Sequence, residues 1–344
     1  MTVSSKFRRI FLGHSKSKDE SSTSKQGRAR GQATNGSQDN DRGAGAGSSQ
    51  ADDSSAARLA VFYSPLFGTE DERAQRQHKL VQDQMTSPWS AICHIRSTFT
   101  DDNEKGETNG TGFLINDTTA ITAAHNLCRV QKDRSITPDS ITLSLAGNAG
   151  QRIATRLSRD TVGKYAALEQ LRQKNKEQIR SGGLTSKEIA DIKERFEAFE
   201  DPYYYDYAAI FLDQPVEPKP NFFFKLRGAD VRDPIWDRPL VCAGYPSSRQ
   251  LYCAEGLAHP AVSDRFRGNQ DYLVVHNVFA IKGESGAPLY VADSNGEFVA
   301  IGIFVRSNEG EVYNERTVHT NGAVRITKDM EGLLTRGGPH DLIA

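Results

Sequence analysis

Two segments of the chain carry side chains that can react. His125 stands in TAAHN, directly after an apolar strand-like run, and Ser285 stands in KGESGAP, a glycine-flanked loop leading into GAPLYV. A serine hydroxyl is a poor nucleophile near neutral pH and needs a base within hydrogen-bond reach, a task for which a neutral imidazole is the best-matched side chain. Gly283 and Gly286 let the backbone turn sharply, so the amides of Gly283 and Ser285 can converge where a developing oxyanion would sit. The imidazole needs a carboxylate on its other nitrogen. Asp206 supplies one at the head of DYAAIFL, behind Tyr203, Tyr204 and Tyr205, which could shield it from water. The order is His125, Asp206, Ser285, spaced by 81 and 79 residues. That order separates this arrangement from two other folds with the same chemistry. Each motif alone is more often structural, and the three together predict nucleophilic acyl transfer.

Such a constellation must be held by rigid elements. From about Pro88 the chain reads as short apolar runs broken by Gly, Asn and Asp: SAICHIRSTF, GTGFLI, TAITAAH, ITLSL, DYAAIFL, PLVCAGY, YLVVH, GAPLYV, FVAIGIFV and GAVRI. Many short strands predict an all-β sandwich or barrel. Residues 158–200 interrupt the pattern as a helical hairpin, with a first helix near Val162–Arg180, a break at Gly182-Gly183, and a capping box from Thr185 to Glu188 opening the second. Ile189, Ile192, Phe196 and Phe199 form one apolar stripe on that second helix. Ahead of the domain, residues 14–57 contain no Val, Ile, Leu, Met, Phe, Trp, Tyr or Cys, which predicts a disordered tail over 1–58. Residues 59–87 read as a linker or pro-like segment, and 88–335 as the folded domain.

The 344 residues carry 43 basic and 44 acidic side chains, a net charge of −1. A field strong enough to collect nucleic acid is therefore not expected. The four cysteines, Cys93, Cys128, Cys242 and Cys253, fit neither a disulfide scaffold nor the C-x2-C spacing of a zinc site. No metal or cofactor is expected. The basic and apolar SKFRRIFLG, Ser5 to Gly13, is too short to span a bilayer and lacks the apolar stretch of a secretory signal. A cytoplasmic protein without a transmembrane segment is the expectation, with organelle targeting as the alternative reading of that patch.

On PWSAICHI, GTGFLI, TAAHNL, DYAAIFLD, AGYP, GESGAPLY, GIFV and NGAVRIT, in this order between about Pro88 and Lys328, the chain resembles the chymotrypsin-like serine peptidases, within them the glutamyl-endopeptidase branch. The resemblance implies two antiparallel six-stranded β-barrels, with His125 and Asp206 from the first and Ser285 from the second. It also implies protein or peptide substrates. Where glutamate-specific members place a Thr and a His against the substrate carboxylate, this chain has Ala280 and Phe304, and Phe279 stands where trypsin-type enzymes carry an acid. An apolar specificity pocket follows, since a carboxylate buried there without a partner would be costly. Lys282 and Arg306 near the rim are the residues that speak for an acidic substrate. Asn126 replaces the Cys that follows the family's histidine, so the loop disulfide of secreted relatives is absent. Cys242 and Cys253 flank AGYP as core thiols, with a bond between them as the alternative. Activation through a buried amino terminus is not legible.

Among the other histidines, His94 is expected at an edge or partly exposed, and His276 could line the pocket. His14, His78, His259, His319 and His340 are expected on the surface. An inert binding module that kept the fold and holds a partner through its cleft or helical hairpin is the competing reading. A third has the tail and residues 59–87 gating the cleft, with 71–84 as a short helix over it or a processing site.

Overall fold

The computed structural model describes residues 62, 64–66, 69–101, 104–131, 134–145, 151–152, 155–157, 159–182, 185–191, 202–230, 233–246, 250–258, 272–293, 295–313 and 316–336. The tail expected over 1–58 lies outside them, as do Ile192, Phe196 and Phe199 of the apolar stripe.

The described chain begins with helix α1 (Glu70–Gln77), closed at its start by a reciprocal Thr69–Glu72 capping box, and strand β1 (Lys79–Leu80). The first lobe follows: β2 (Ile92–Asp101), β3 (Glu104–Asn116), β4 (Thr119–Thr122), the small hairpin β5 (Arg129–Gln131) and β6 (Arg134–Ile136), then β7 (Ser140–Leu145), β8 (Gln151–Arg152), β9 (Thr155–Leu157) and, after the helical insertion, β10 (Ala208–Leu212). Seven of these form one antiparallel sheet in the order β8-β7-β2-β3-β4-β10-β9. The second lobe consists of β11 (Lys225–Leu226), β12 (Leu240–Gly244), β13 (Tyr252–Gly256), β14 (Leu273–His276), β15 (Pro288–Ala292), β16 (Phe298–Tyr313) and β17 (Arg316–Arg325). Its sheet runs β1-β13-β12-β15-β16-β17-β14, with β11 added parallel to β16.

The all-β, two-lobed architecture expected from the sequence is present. The sheets hold seven and eight strands where six each were expected. The surplus consists of the two-residue strands β1, β8 and β11, and without them six remain on each side. Every apolar run singled out in the sequence forms a strand. The ten runs leave β1, β5, β6, β8, β9, β11 and β13 unread, each of five residues or fewer and too short to show a clear period.

In β2 the residues from Cys93 to Phe99 alternate, Cys93, Ile95, Ser97 and Phe99 inward and His94, Arg96 and Thr98 outward. Ile92 breaks this period because it caps the 3-10 turn Trp89–Ala91 and is itself fully buried. His94 is half-buried as expected, but β2 lies inside the sheet and not at an edge, and the His94 ring is 5.7 Å from that of Tyr245. Ile92, Ile95, Phe113, Ile121 and Ile210 are fully buried around the strands that lead to His125 and Asp206. At roughly 1.5–3 kcal/mol for each such side chain, they give these strands a rigid base.

The insertion opens with helix α2 (Arg159–Arg180), three residues earlier than the periodicity suggests. Val162, Tyr165, Ala166 and Glu169 line its buried face at i, i+3, i+4 and i+7. Gly182 follows at φ +72 and breaks it. Thr185 and Glu188 then exchange the expected capping-box bonds at the start of α3 (186–191). A closing helix, α4 (Lys328–Arg336), accepts the Gly228 N–H on Glu331.

Candidate active site

His125 sits in the 3-10 turn Ala124–Asn126 that ends β4, and Asp206 follows the 3-10 turn Pro202–Tyr205 and precedes β10. Because β4 and β10 pair antiparallel, with Thr122 opposite Ala208, residues 81 apart in sequence meet at one end of the ladder. Asp206 is fully buried. Its carboxylate accepts the His125 backbone N–H at 2.9 Å and the ring Nδ1 at 2.8 Å. Nδ1–H donated to a carboxylate leaves Nε2 as the unprotonated, accepting nitrogen, which is the tautomer a base requires.

The electrostatics of the imidazole involve more than this pair. Burial pushes its pKa down, but the Asp206 charge and hydrogen bond, helped by Glu169 on α2, outweigh burial and hold it above the ordinary imidazole value. The side chain still exposes 27% of its surface, so the ring is open to solvent. The Tyr165 ring lies 6.4 Å from the imidazole. Glu169 binds Arg172 through two hydrogen bonds of 2.5 and 2.7 Å. The Arg172 guanidinium lies over Tyr203 in the turn before Asp206. The inserted helix therefore packs against the ring of His125 and the turn that presents Asp206. Sequence reading placed that helix but gave Tyr165 and Glu169 no role, because nothing in its period says which barrel feature it covers.

Ser285 lies in the turn between residues 281 and 287, half-buried. Gly283 has φ +102 and Gly286 φ +90, both in the left-handed range that favours glycine. A Cβ on Gly286 would lie 2.1 Å from the Thr111 carbonyl oxygen and 2.9 Å from the Ala123 nitrogen, two residues before His125. The serine loop thus presses directly on the first lobe. Thr111 N–H donates to the Ser285 carbonyl at 2.8 Å, and Thr111 Oγ1 donates to the Gly283 carbonyl at 3.0 Å while accepting the Tyr245 N–H. Asn126 Nδ2 donates to the Ser285 carbonyl at 2.8 Å and to Thr122 Oγ1. Glu284 N–H and Gly286 N–H go to Ile281 and Phe304 carbonyls. Among the described hydrogen bonds none uses the Gly283 or Ser285 N–H, and none joins Ser285 Oγ to the His125 ring.

Thr111, Thr122 and Asn126 are residues the sequence reading missed. One signal was available: Thr111 stands between Gly110 and Gly112, and a Cβ on Gly110 would strike the Asn126 amide at 2.3 Å.

Phe279, Ala280 and Phe304 are buried in the second lobe's core. Phe279 packs its ring against His78 and Arg73 of the N-terminal segment. Lys282 is exposed, and the Arg306 guanidinium stacks 4.3 Å over Tyr203. His276 is fully buried, 6.1 Å from the Phe304 ring, and burial pushes its pKa down to about 3, so it is neutral. Cys242 and Cys253 lie on neighbouring strands, and all four cysteines are free thiols. The expectation that His78 lies on the surface is corrected. Its side chain is 7% exposed and its Nε2 meets Glu284 Oε1 at 2.9 Å. His14, His259 and His340, and the side chain of His319, fall outside the described residues. Among the described residues no cluster of His, Cys, Asp or Glu could hold a metal ion, and no helix is long and apolar enough to cross a membrane.

No protein-family model and no curated protein matches the chain. Among solved structures it is similar to a Glu endopeptidase in complex with MPD, at 14% identity, covering 76% of this chain and 95% of that one, with a TM-score of 0.47. It is also similar to the thermostable serine protease AL20 from an extremophilic microorganism, at 12% identity, covering 72% and 96%, with a TM-score of 0.44.

Proposed function

We propose that this protein is a serine endopeptidase. Ser285 Oγ attacks a peptide carbonyl, His125 Nε2 takes the proton and returns it to the leaving amine, and Asp206 holds the imidazolium. The N–H groups of Gly283 and Ser285 receive the oxyanion of the tetrahedral intermediate. The observation that carries this reading is the doubly held carboxylate, with Asp206 accepting both the backbone and the ring of His125, one residue from the Asn126 that grips Ser285. The apolar character of Phe279, Ala280 and Phe304 supports a primary pocket for apolar or aromatic side chains. Cleavage of a peptide library checks this, and a uniform preference for Glu would refute it.

The competing reading, an inert module that binds partners, is favoured by one observation, the lack of a described Ser285–His125 hydrogen bond. In unliganded hydrolases that bond is often long and tightens when substrate arrives. A fluorophosphonate probe decides between them. Labelling of the wild type and not of Ser285→Ala supports the peptidase, and a folded wild type that stays unlabelled supports the binding module.

A further inference from the structure

Glu284, the residue immediately before Ser285, is 2% exposed. One carboxylate oxygen accepts the Ile281 N–H at 2.7 Å, and the other meets His78 Nε2 at 2.9 Å. A buried carboxylate needs such partners, because stripping it of water without compensation is costly. The second partner comes from outside the two lobes' main strands, 206 residues away. His78 caps the end of α1, donating its backbone N–H to Ala74. Beyond it, Lys79 and Leu80 pair with Cys253 and Tyr252, and Val81 N–H reaches the Leu251 carbonyl. The imidazole stacks on the Tyr252 ring at 4.5 Å and meets Phe279 edge-on at 5.3 Å. It is locked on three sides and presents one nitrogen to the serine loop.

We infer that His78 is a positioning residue for the peptidase site, holding Glu284 inside the protein and thereby fixing the turn whose Gly283 and Ser285 N–H groups form the oxyanion hole. This rests on the peptidase reading above. Without the imidazole, Glu284 gains by rotating toward water. The turn then loses the bond from the Ile281 N–H to the Glu284 carboxylate that spans it, and with it part of what aims the Gly283 and Ser285 N–H groups at one point. The catalytic pair His125–Asp206 is untouched by that motion, being anchored in the first lobe. The N-terminal segment thus acts on turnover without touching substrate.

The test uses the full chain and compares His78→Leu, which keeps volume but cannot bind Glu284, with His78→Gln, whose side-chain N–H can still reach it. His78→Leu is expected to lower kcat by ~10²-fold, as loss of an oxyanion donor does, with a smaller change in KM. His78→Gln is expected to stay within roughly 5-fold of wild type, since it keeps the polar contact. Fluorophosphonate labelling of Ser285 is expected to slow in parallel with kcat. Should His78→Leu fail to fold, His78→Ala with added imidazole decides: recovered turnover supports the role and no recovery refutes it. A wild type that labels while His78→Leu labels equally fast overturns this inference alone. A folded wild type that never labels overturns the peptidase reading and this inference with it.

Discussion

Asn126 donates its Nδ2–H to the Ser285 carbonyl over 2.8 Å, so the neighbour of the proposed base holds the backbone of the proposed nucleophile. The same amide nitrogen reaches Thr122 Oγ1, and Thr122 donates to the Thr111 carbonyl. A short polar chain therefore fastens the second lobe's loop to the first lobe beneath the site. Asn126→Ala leaves the Ser285 carbonyl with Thr111 N–H alone. A loss of about 1–2 kcal/mol in denaturant unfolding is expected, together with a kcat lowered at least ten-fold. Unchanged kinetics would mean that Thr111 alone fixes the loop.

Ser285→Ala, His125→Ala and Asp206→Asn each should lower kcat by ~10⁴-fold or more while leaving the circular dichroism of the fold intact, and the double variants should lose little beyond the singles. Additive losses would show that the three do not act as one unit.

The pH dependence follows from the imidazole. As the proposed base His125 must be neutral, and its pKa is held above the ordinary value, so kcat/KM should fall as pH drops through a midpoint above the usual imidazole range. Glu169 is one of the charges that raise it. In Glu169→Gln that support is gone, and the acid limb should move to lower pH. A limb that stays in place or moves upward in a pH–rate profile would remove Glu169 from this account.

Gly286→Ala places a methyl group against the Thr111 carbonyl and the Ala123 nitrogen at a φ of +90. Strain and overpacking together should destabilise by about 2–4 kcal/mol and abolish turnover by pushing Ser285 away from His125. Thermal unfolding and probe labelling measure the two effects separately.

All four thiols are free. Burial pushes Cys93 and Cys128 up to about 12, and Cys242 is also buried. A thiol reagent should therefore find only the partly exposed Cys253 in the native protein and all four after denaturation. Reductant should leave the melting temperature unchanged, whereas a fall would reveal a disulfide.

The strands of both lobes were legible because alternating or continuous apolar runs report burial residue by residue, and the capping box at Thr185 was legible because its partners are three residues apart. His125, Asp206 and Ser285 were singled out by local surroundings: a strand end, a tyrosine-rich turn, a glycine-flanked loop. Contacts that join distant segments had no such signature. Thr111, Asn126 and Glu169 look like ordinary strand, turn and helix residues until pairing brings them to the site. His78 shows no ligand-like spacing in the sequence and so reads as a surface residue, although its ring is buried against Glu284.

The sequence by itself determined which segments become strands and which side chains have the chemistry for acyl transfer, since both depend on neighbours within a few positions. Tertiary structure alone decided that Asp206 closes on the backbone N–H and the ring Nδ1 of His125, that Asn126 grips Ser285, and that a histidine ahead of the first lobe binds the carboxylate beside the serine. The physical reason is that each of these is a hydrogen bond between buried groups tens to hundreds of residues apart. Such bonds are specified by register and packing, which no local pattern records.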